Sequence, residues 1–228
     1  MKITGYIVVD CACGSASDIA PEALSRLGAD ITAIDSDINR RRKPRNPGAI
    51  KSELIYLSNF VNASTGSIGV SYNGDGTHLA VIDENGKYIS QDAVLAMLLM
   101  YLEPRTAIVP FDSSAIIEDA FNSPMKLRQG GHGDDPDRRM IRAVGDQNIL
   151  EACIANDADF AALSDGRIIF PEISLCPDAI YASAVVAELS GLRSLRNIVS
   201  ELPLYFSKHV QVEFNSSSRV FNKKITEA

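Results

Sequence analysis

Between Ser67 and Glu84 the chain reads S-I-G-V-S-Y-N-G-D-G-T-H-L-A-V-I-D-E. An apolar run enters a polar turn, Asn73-Gly74-Asp75-Gly76, and a second apolar run leaves it. Asn-Gly and Asp-Gly favour positive φ, so the stretch predicts a hairpin. Asn73, Asp75 and Thr77 place three oxygen-bearing side chains within five residues, with His78 beside them. Oxygen ligands on a Gly-rich turn suit a hard cation such as Mg²⁺. Only one of the three is a carboxylate, however, and a plain surface hairpin accounts for the same residues. A second tight turn, Ser164-Asp165-Gly166, joins two further strand-like runs. Cys11 and Cys13 are two apart and could bind a soft metal as thiolates. No second Cys or His pair lies nearby, so small residues packing a strand-to-helix turn are the expectation there.

These residues need a scaffold, and the scaffold reads as α/β. Tyr6–Asp10 is a short apolar run ending in a carboxylate. A helix through Pro21–Leu27 stops at Gly28, and Asp30–Asp35 is a second strand. Strand-helix-strand order implies parallel strands with a right-handed crossover, whose ligands bind at the carboxyl ends of the strands. The first turn has Gly14 alone and lacks G-x-G-x-x-G, which argues against a dinucleotide. Ser52–Asn62 reads as an amphipathic helix, and Gln91-Asp92 opens a strongly apolar one that breaks at Pro104. The order then starts again. Ala107–Phe111 is a strand, a helix follows to Ala120, Met125–Arg128 and Met140–Val144 are extended, and a helix runs from Asp146 to Asn156. Strands flank Asp165-Gly166, and Pro177-Asp178-Ala179 opens a second apolar helix, mirroring Gln91-Asp92-Ala93. Repetition at this scale predicts two similar three-layer α/β/α domains with mixed sheets. The expected division is residues 1–103, residues 104–208 and a C-terminal tail, 209–228, that holds one strand-like run, Val210–Phe214.

Composition narrows the function classes. The chain has 228 residues, 46% hydrophobic and 22% charged, with a net charge of −7. That balance fits a soluble globular protein and disfavours nucleic acid and anionic membrane surfaces as partners. The apolar run within Ala93–Leu102 is too short to span a bilayer. Four cysteines in a chain this long make no disulfide framework. The amino terminus leads into a strand rather than a signal peptide, so a cytoplasmic location is expected. The one basic run, Asn39–Asn46, reads as a solvated loop broken by Pro44 and Pro47.

As a set, these motifs resemble those of the α-D-phosphohexomutases, the phosphomannomutases and phosphoglucomutases. The Asn73 turn is similar to the family's metal loop, D-G-D-x-D-R. Val9-Asp10-Cys11 through Gly14 resembles its V-D-C-x-x-G turn, Arg45-Asn46-Pro47 its R-N-P loop, and Ile89-Ser90-Gln91-Asp92 its I-S-G-D. Val144-Gly145-Asp146 resembles its V-G-D, and Asp165-Gly166 with Ile169–Glu172 the hairpin of its sugar-binding loop. The resemblance covers the family's second and third domains only. It implies intramolecular phosphotransfer on hexose phosphates, Mg²⁺ as cofactor at Asn73, Asp75 and Thr77, and a sugar phosphate held at Ser164, Asp165 and Gly166.

The sequence departs from the family where chemistry is done. Two of three metal-loop aspartates and the arginine are replaced. Ala161-Ala162-Leu163-Ser164 stands where the family has G-E-E, and no T-A-S-H-N-P-like serine loop is present. Phosphoryl transfer is mostly positioning and charge stabilisation, so these losses remove the means of catalysis. The expectation is therefore a phosphohexomutase-like protein of carbohydrate metabolism with no catalytic residue assigned and no mutase activity as an isolated chain. Alternatives are one part of a split or oligomeric phosphohexomutase, completed by another copy or by a partner chain, and a nucleotide- or sugar-phosphate-binding module. The 73–78 turn is expected to keep a cation loop's shape while binding Mg²⁺ weakly or not at all.

Overall fold

The structure is a computed structural model that describes residues 2–39, 54–128, 130–163 and 165–205. The basic run from Arg40 onward, Arg45-Asn46-Pro47, Ser164 and the strand-like run Val210–Phe214 lie outside the described residues.

Two mixed sheets form the frame. In the first half β1 (Tyr6–Asp10), α1 (Ala20–Arg26), β2 (Asp30–Ile34), α2 (Ile55–Ala63), β3 (Ser67–Tyr72), β4 (Leu79–Ile82), β5 (Tyr88–Ile89) and α3 (Gln91–Leu102) follow in turn. The second half runs β6 (Thr106–Pro110), α4 (Ile116–Phe121), β7 (Arg139–Ala143), α5 (Asp146–Ala155), β8 (Phe160–Ala162), β9 (Ile168–Ile169), α6 (Ala179–Leu192) and α7 (Leu195–Glu201). The sheets have the orders β2-β1-β3-β4-β5 and β7-β6-β8-β9. β1 is parallel to β2 and β3, as β6 is to β7 and β8, and the hairpins β3–β4 and β8–β9 are antiparallel. The second sheet repeats the first strand for strand, short of one edge. The fold is α/β with two mixed sheets and helices, as the repeated element order predicts.

Strand alternation assigns the layers. Val8, Ala80 and Ile82 face α2 through Leu54, Leu57 and Val61. Ile108, Ala161 and Ile169 face α5 through Ile149 and Cys153. The opposite faces, Ile7, Val9, Val70 and Val81 from one sheet and Ala107, Val109, Phe160 and Ile168 from the other, join a single buried cluster. α3 and α6 lie within that cluster, which explains why both are apolar on every side. α6 packs on β3 and β4 of the first sheet, and α3 packs on α4 of the second half. The helix layer between the sheets is thus shared by the two halves.

Local details depart from the sequence reading. Met125–Arg128 is irregular rather than a strand. Met125 N–H bonds the Met100 carbonyl, and Lys126 sits at φ +53° with its N–H on the Glu103 carboxylate, so the segment is bent around a buried side chain. The matched starts of α3 and α6 are also not equivalent. Ser90 caps α3 by accepting from Ala93 N–H, and Asp178 caps α6 by accepting from Tyr181 N–H. Asp92 therefore sits inside α3, two positions past the place Asp178 holds on α6.

Candidate functional site

Both sheets reverse strand order beside their first strand, at β1/β3 and at β6/β8. Ligands of open α/β sheets bind outside the carboxyl ends at such points. The first of these is filled by the protein. Asp10, buried at the end of β1, accepts from Ala12 N–H and from the Ser71 hydroxyl. Ala12 and Cys13 then turn through φ +52° and +53°. Ser15 N–H bonds the Gly74 carbonyl at 2.9 Å, and a Cβ on Gly14 would stand 2.5 Å from that carbonyl oxygen. The β1 turn and the β3–β4 loop therefore meet backbone to backbone. Burial, then the nearby Asp10 charge, pushes the Cys11 thiol up to about 12, so Cys11 packs the turn as a neutral side chain rather than serving as a thiolate ligand.

The β3–β4 loop spans residues 73–78 and is less superficial than its sequence suggests. Asn73 and His78 are buried. Gly76 takes φ +74°, but Gly74 does not use the left-handed region, so only one of the two glycines supplies the backbone freedom expected of both. The Asn73 carbonyl accepts from Thr77 N–H at 2.9 Å and from His78 N–H at 3.0 Å. Its amide nitrogen must then donate, and it faces His78 Nδ1 at 2.8 Å and Thr77 Oγ1 at 3.3 Å. Thr77 donates from its hydroxyl (2.6 Å) and its backbone N–H (3.0 Å) to one Asp75 oxygen. The hydroxyl, more than the N–H, holds the Asp75 carboxyl below the usual carboxylate range.

The loop reaches across to the second half. His78 Nε2 lies 3.3 Å from Asp165 Oδ2 in the β8–β9 turn. Arg167 Nε donates to both Asp165 oxygens, at 2.9 and 2.7 Å, and its Nη2 to Asp146 at 3.1 Å at the start of α5. Burial works to raise the Asp165 carboxyl, but the Arg167 hydrogen bonds outweigh it and leave the group below its ordinary range. Asp165 in turn strengthens the proton hold of Arg167. Gly166 sits against Gln91, whose amide donates to the Leu79 carbonyl.

At the second reversal point, β6/β8, the space stays open. A crevice of about 220 Å³ lies between the Pro110–Ser114 turn and the β8–β9 turn, lined by Gln91, Asp112, Ser113, Ser114, Asp165 and Gly166. Hydroxyl, amide and carboxylate groups there could hydrogen-bond a small polyol. Of the two candidate sets, Asn73, Asp75 and Thr77 come together in one loop, and Asp165 and Gly166 border the crevice. Arg167 and the 110–114 turn were not singled out in the sequence, and Gln91 and Asp146 entered only as parts of motifs, with no site role. A charged residue next to the Asp-Gly turn was a signal for Arg167; nothing in the sequence signals the pairing of His78 with a residue 87 positions away.

Mg²⁺ is held chiefly by carboxylate charge with near-ideal octahedral oxygens. Asn73 Oδ1 is occupied by two backbone N–H groups, Thr77 Oγ1 is turned to Asp75, and Asp75 is the loop's one carboxylate. Asp10 and Asp83 are engaged elsewhere, Asp10 with Ser71 and Ala12, Asp83 with the amides of Asn85 and Lys87. Among the described residues no group of three or more His, Cys, Asp or Glu side chains is placed to hold a metal ion. These residues do not fit the ion. No helix among the described residues is long and apolar enough to cross a membrane.

Comparison with known proteins gives a consistent likeness. A probable phosphoglucosamine mutase of Methanococcoides burtonii is 32% identical over 202 residues, covering 87% of this chain and 43% of its own length. A phosphoglucosamine mutase of Campylobacter curvus is 31% identical over 190 residues, covering 80% and 40%. Among solved structures, a phosphoglucomutase/phosphomannomutase family protein of Burkholderia thailandensis matches with TM-score 0.69 at 17% identity, over 92% of this chain and 45% of that one. A putative phosphomannomutase of Thermus thermophilus matches with TM-score 0.67 at 18% identity, over 86% and 45%. No protein-family model matches the chain. The chain therefore has a partial phosphohexomutase likeness in sequence and fold, and it spans about two fifths of the length of the curated relatives it matches.

Proposed function

We propose that the chain binds a hexose or hexosamine phosphate, as its relatives' names suggest, and does not by itself transfer the phosphate. The binding place is the crevice bordered by Asp112–Ser114 and by Asp165 and Gly166. The observation that carries the reading is the state of the 73–78 loop, where the oxygens that would ligate Mg²⁺ are spent on neighbouring donors. Without that cation, and with no T-A-S-H-N-P-like serine loop in the sequence, the chain has neither the charge stabilisation nor the nucleophile that phosphoryl transfer requires. Its two units divide near residue 103, and it works in the cytoplasm. Calorimetry with glucosamine 6-phosphate and glucose 1-phosphate tests binding, and a coupled mutase assay with Mg²⁺ and a sugar bisphosphate tests transfer. Binding without turnover is expected; turnover well above background by the chain alone overturns the reading.

A second reading is favoured by the coverage of 43% and 40% of the relatives' length. The chain would then be one component of a phosphohexomutase, an isomerase by reaction, whose remaining parts come from another chain or another copy. Turnover that appears only when a candidate partner chain is added supports this reading over the first.

A further inference from the structure

We propose that the 73–78 loop is a cation-free clamp, closed by its own side chains and tied by His78 to the hairpin that carries Asp165 and Arg167. Asn73 Oδ1 holds the N–H groups of Thr77 and His78, which fixes its amide orientation. Its Nδ2 must donate, so His78 Nδ1, 2.8 Å away, is the acceptor and carries no proton. The ring proton then sits on Nε2, aimed at Asp165. The Thr77 hydroxyl donates to Asp75 and accepts from Asn73. Every polar side-chain group of Asn73, Thr77 and His78 has a partner of the right sense.

Burial makes this network consequential, because Asn73 and His78 are 5% and 7% exposed. A cation that drew Asn73 Oδ1 to itself would leave the buried His78 N–H unpaired, while the Thr77 N–H keeps Asp75, a penalty that one neutral ligand does not offset. The side chains thus do locally what a bound ion would do. They also do something local ligation would not. His78 joins Asp165, Asp165 holds Arg167 at 2.7 Å, and Arg167 reaches Asp146 at 3.1 Å. His78 is in this sense a positioning residue for the second hairpin, and the clamp stands whether or not the crevice binds a sugar phosphate.

Hydrogen–deuterium exchange on the full chain tests the clamp, reading the amides of Thr77, His78, Gly166 and Arg167. In the unaltered chain, excess EDTA and excess MgCl₂ are expected to give the same slow exchange. Asp165→Ala, at an exposed position, is expected to speed exchange at Thr77 and His78 by about tenfold, the effect of losing a charge-assisted hydrogen bond. His78→Gln places an amide N–H near the Nε2 position and is expected to keep the cross-half effect; His78→Asn does not reach and is expected to lose it. Asn73→Asp with Thr77→Asp is expected to make exchange in the loop depend on Mg²⁺. Slower exchange or a higher melting temperature of the unaltered chain on adding Mg²⁺ overturns the proposal. So does Asp165→Ala leaving exchange at Thr77 and His78 unchanged.

Discussion

Gly14 and Gly74, on different turns of the first sheet, touch through their backbones. The position a Cβ would take on Gly14 is 2.5 Å from the Gly74 carbonyl oxygen and 2.7 Å from its Cα. The reverse does not hold, since a Cβ on Gly74 would have nothing within 4 Å. Gly14→Ala is therefore expected to destabilise the chain by about 1–3 kcal/mol, as overpacking does, while Gly74→Ala stays within about 0.5 kcal/mol. Urea unfolding of the two variants side by side checks this. Equal effects would mean that the turns move apart freely.

Tyr72 on β3 and Ser183 on α6 form a buried hydroxyl pair at 2.5 Å that joins the first sheet to the last apolar helix. Ser183 donates to the Ile180 carbonyl, so Tyr72 donates to Ser183. Ser183→Ala leaves the Tyr72 hydroxyl unpaired and is expected to cost about 1–3 kcal/mol. Tyr72→Phe removes the donor and leaves Ser183 satisfied, so its expected cost is smaller, about 1 kcal/mol. Thermal unfolding of both variants gives the order, and a larger loss in Tyr72→Phe would refute the assignment of donor and acceptor.

The Cys11 thiol gives a pH dependence with a definite sign. Its pKa rises from an ordinary 9.0 to about 12 in the folded chain, first through burial and then through Asp10. The unfolded thiol ionises first, so this contribution is whole below about pH 9 and is lost as pH rises toward 12. The slope is about 1.4 kcal/mol per pH unit for one such group. Denaturant midpoints across that range, under reducing conditions, should fall less steeply in Cys11→Ala than in the unaltered chain. Parallel slopes would assign the alkaline loss to other groups.

Glu103 stands between α3 and β6, buried and at φ +51°. Its carboxylate accepts from the amides of Lys126 and Gly133, and its carbonyl accepts from His132 N–H. Gly131 and Gly133 come so near that a Cβ on either would lie 2.5 or 2.6 Å from Glu103 Oε2. Glu103→Ala is expected to cost about 2–3 kcal/mol through two orphaned N–H groups, and to speed exchange at Lys126 and Gly133. Unchanged exchange at those amides would show that the segment is held by other contacts.

The element order was legible in the sequence because its signals are local. Gly28 ends α1 at φ +110°, and β1, β4 and β8 are short apolar runs of the kind that strands buried on both faces require. The two hairpin turns and the two apolar helices were visible for the same reason. Met125–Arg128 misled because the backbone amides of Met125 and Lys126 bond the Met100 carbonyl and the Glu103 carboxylate rather than a strand partner. The equivalence of Asp92 with Asp178 failed because capping depends on which residue leaves helical φ/ψ, and identity alone does not say.

By itself the sequence determined the α/β class, the repeated order of elements, and the scarcity of charge in the 73–78 loop, where Asp75 alone is a carboxylate. Tertiary structure decided what the loop's residues face. Side-chain identity limits what Asn73, Thr77 and His78 can do, but a hydrogen bond needs a partner within about 3 Å. For His78 that partner is Asp165, 87 residues away, brought near only because the two sheets share one layer of helices. The same packing closed the space at β1/β3 and left it open at β6/β8, a difference between two halves whose strand orders match.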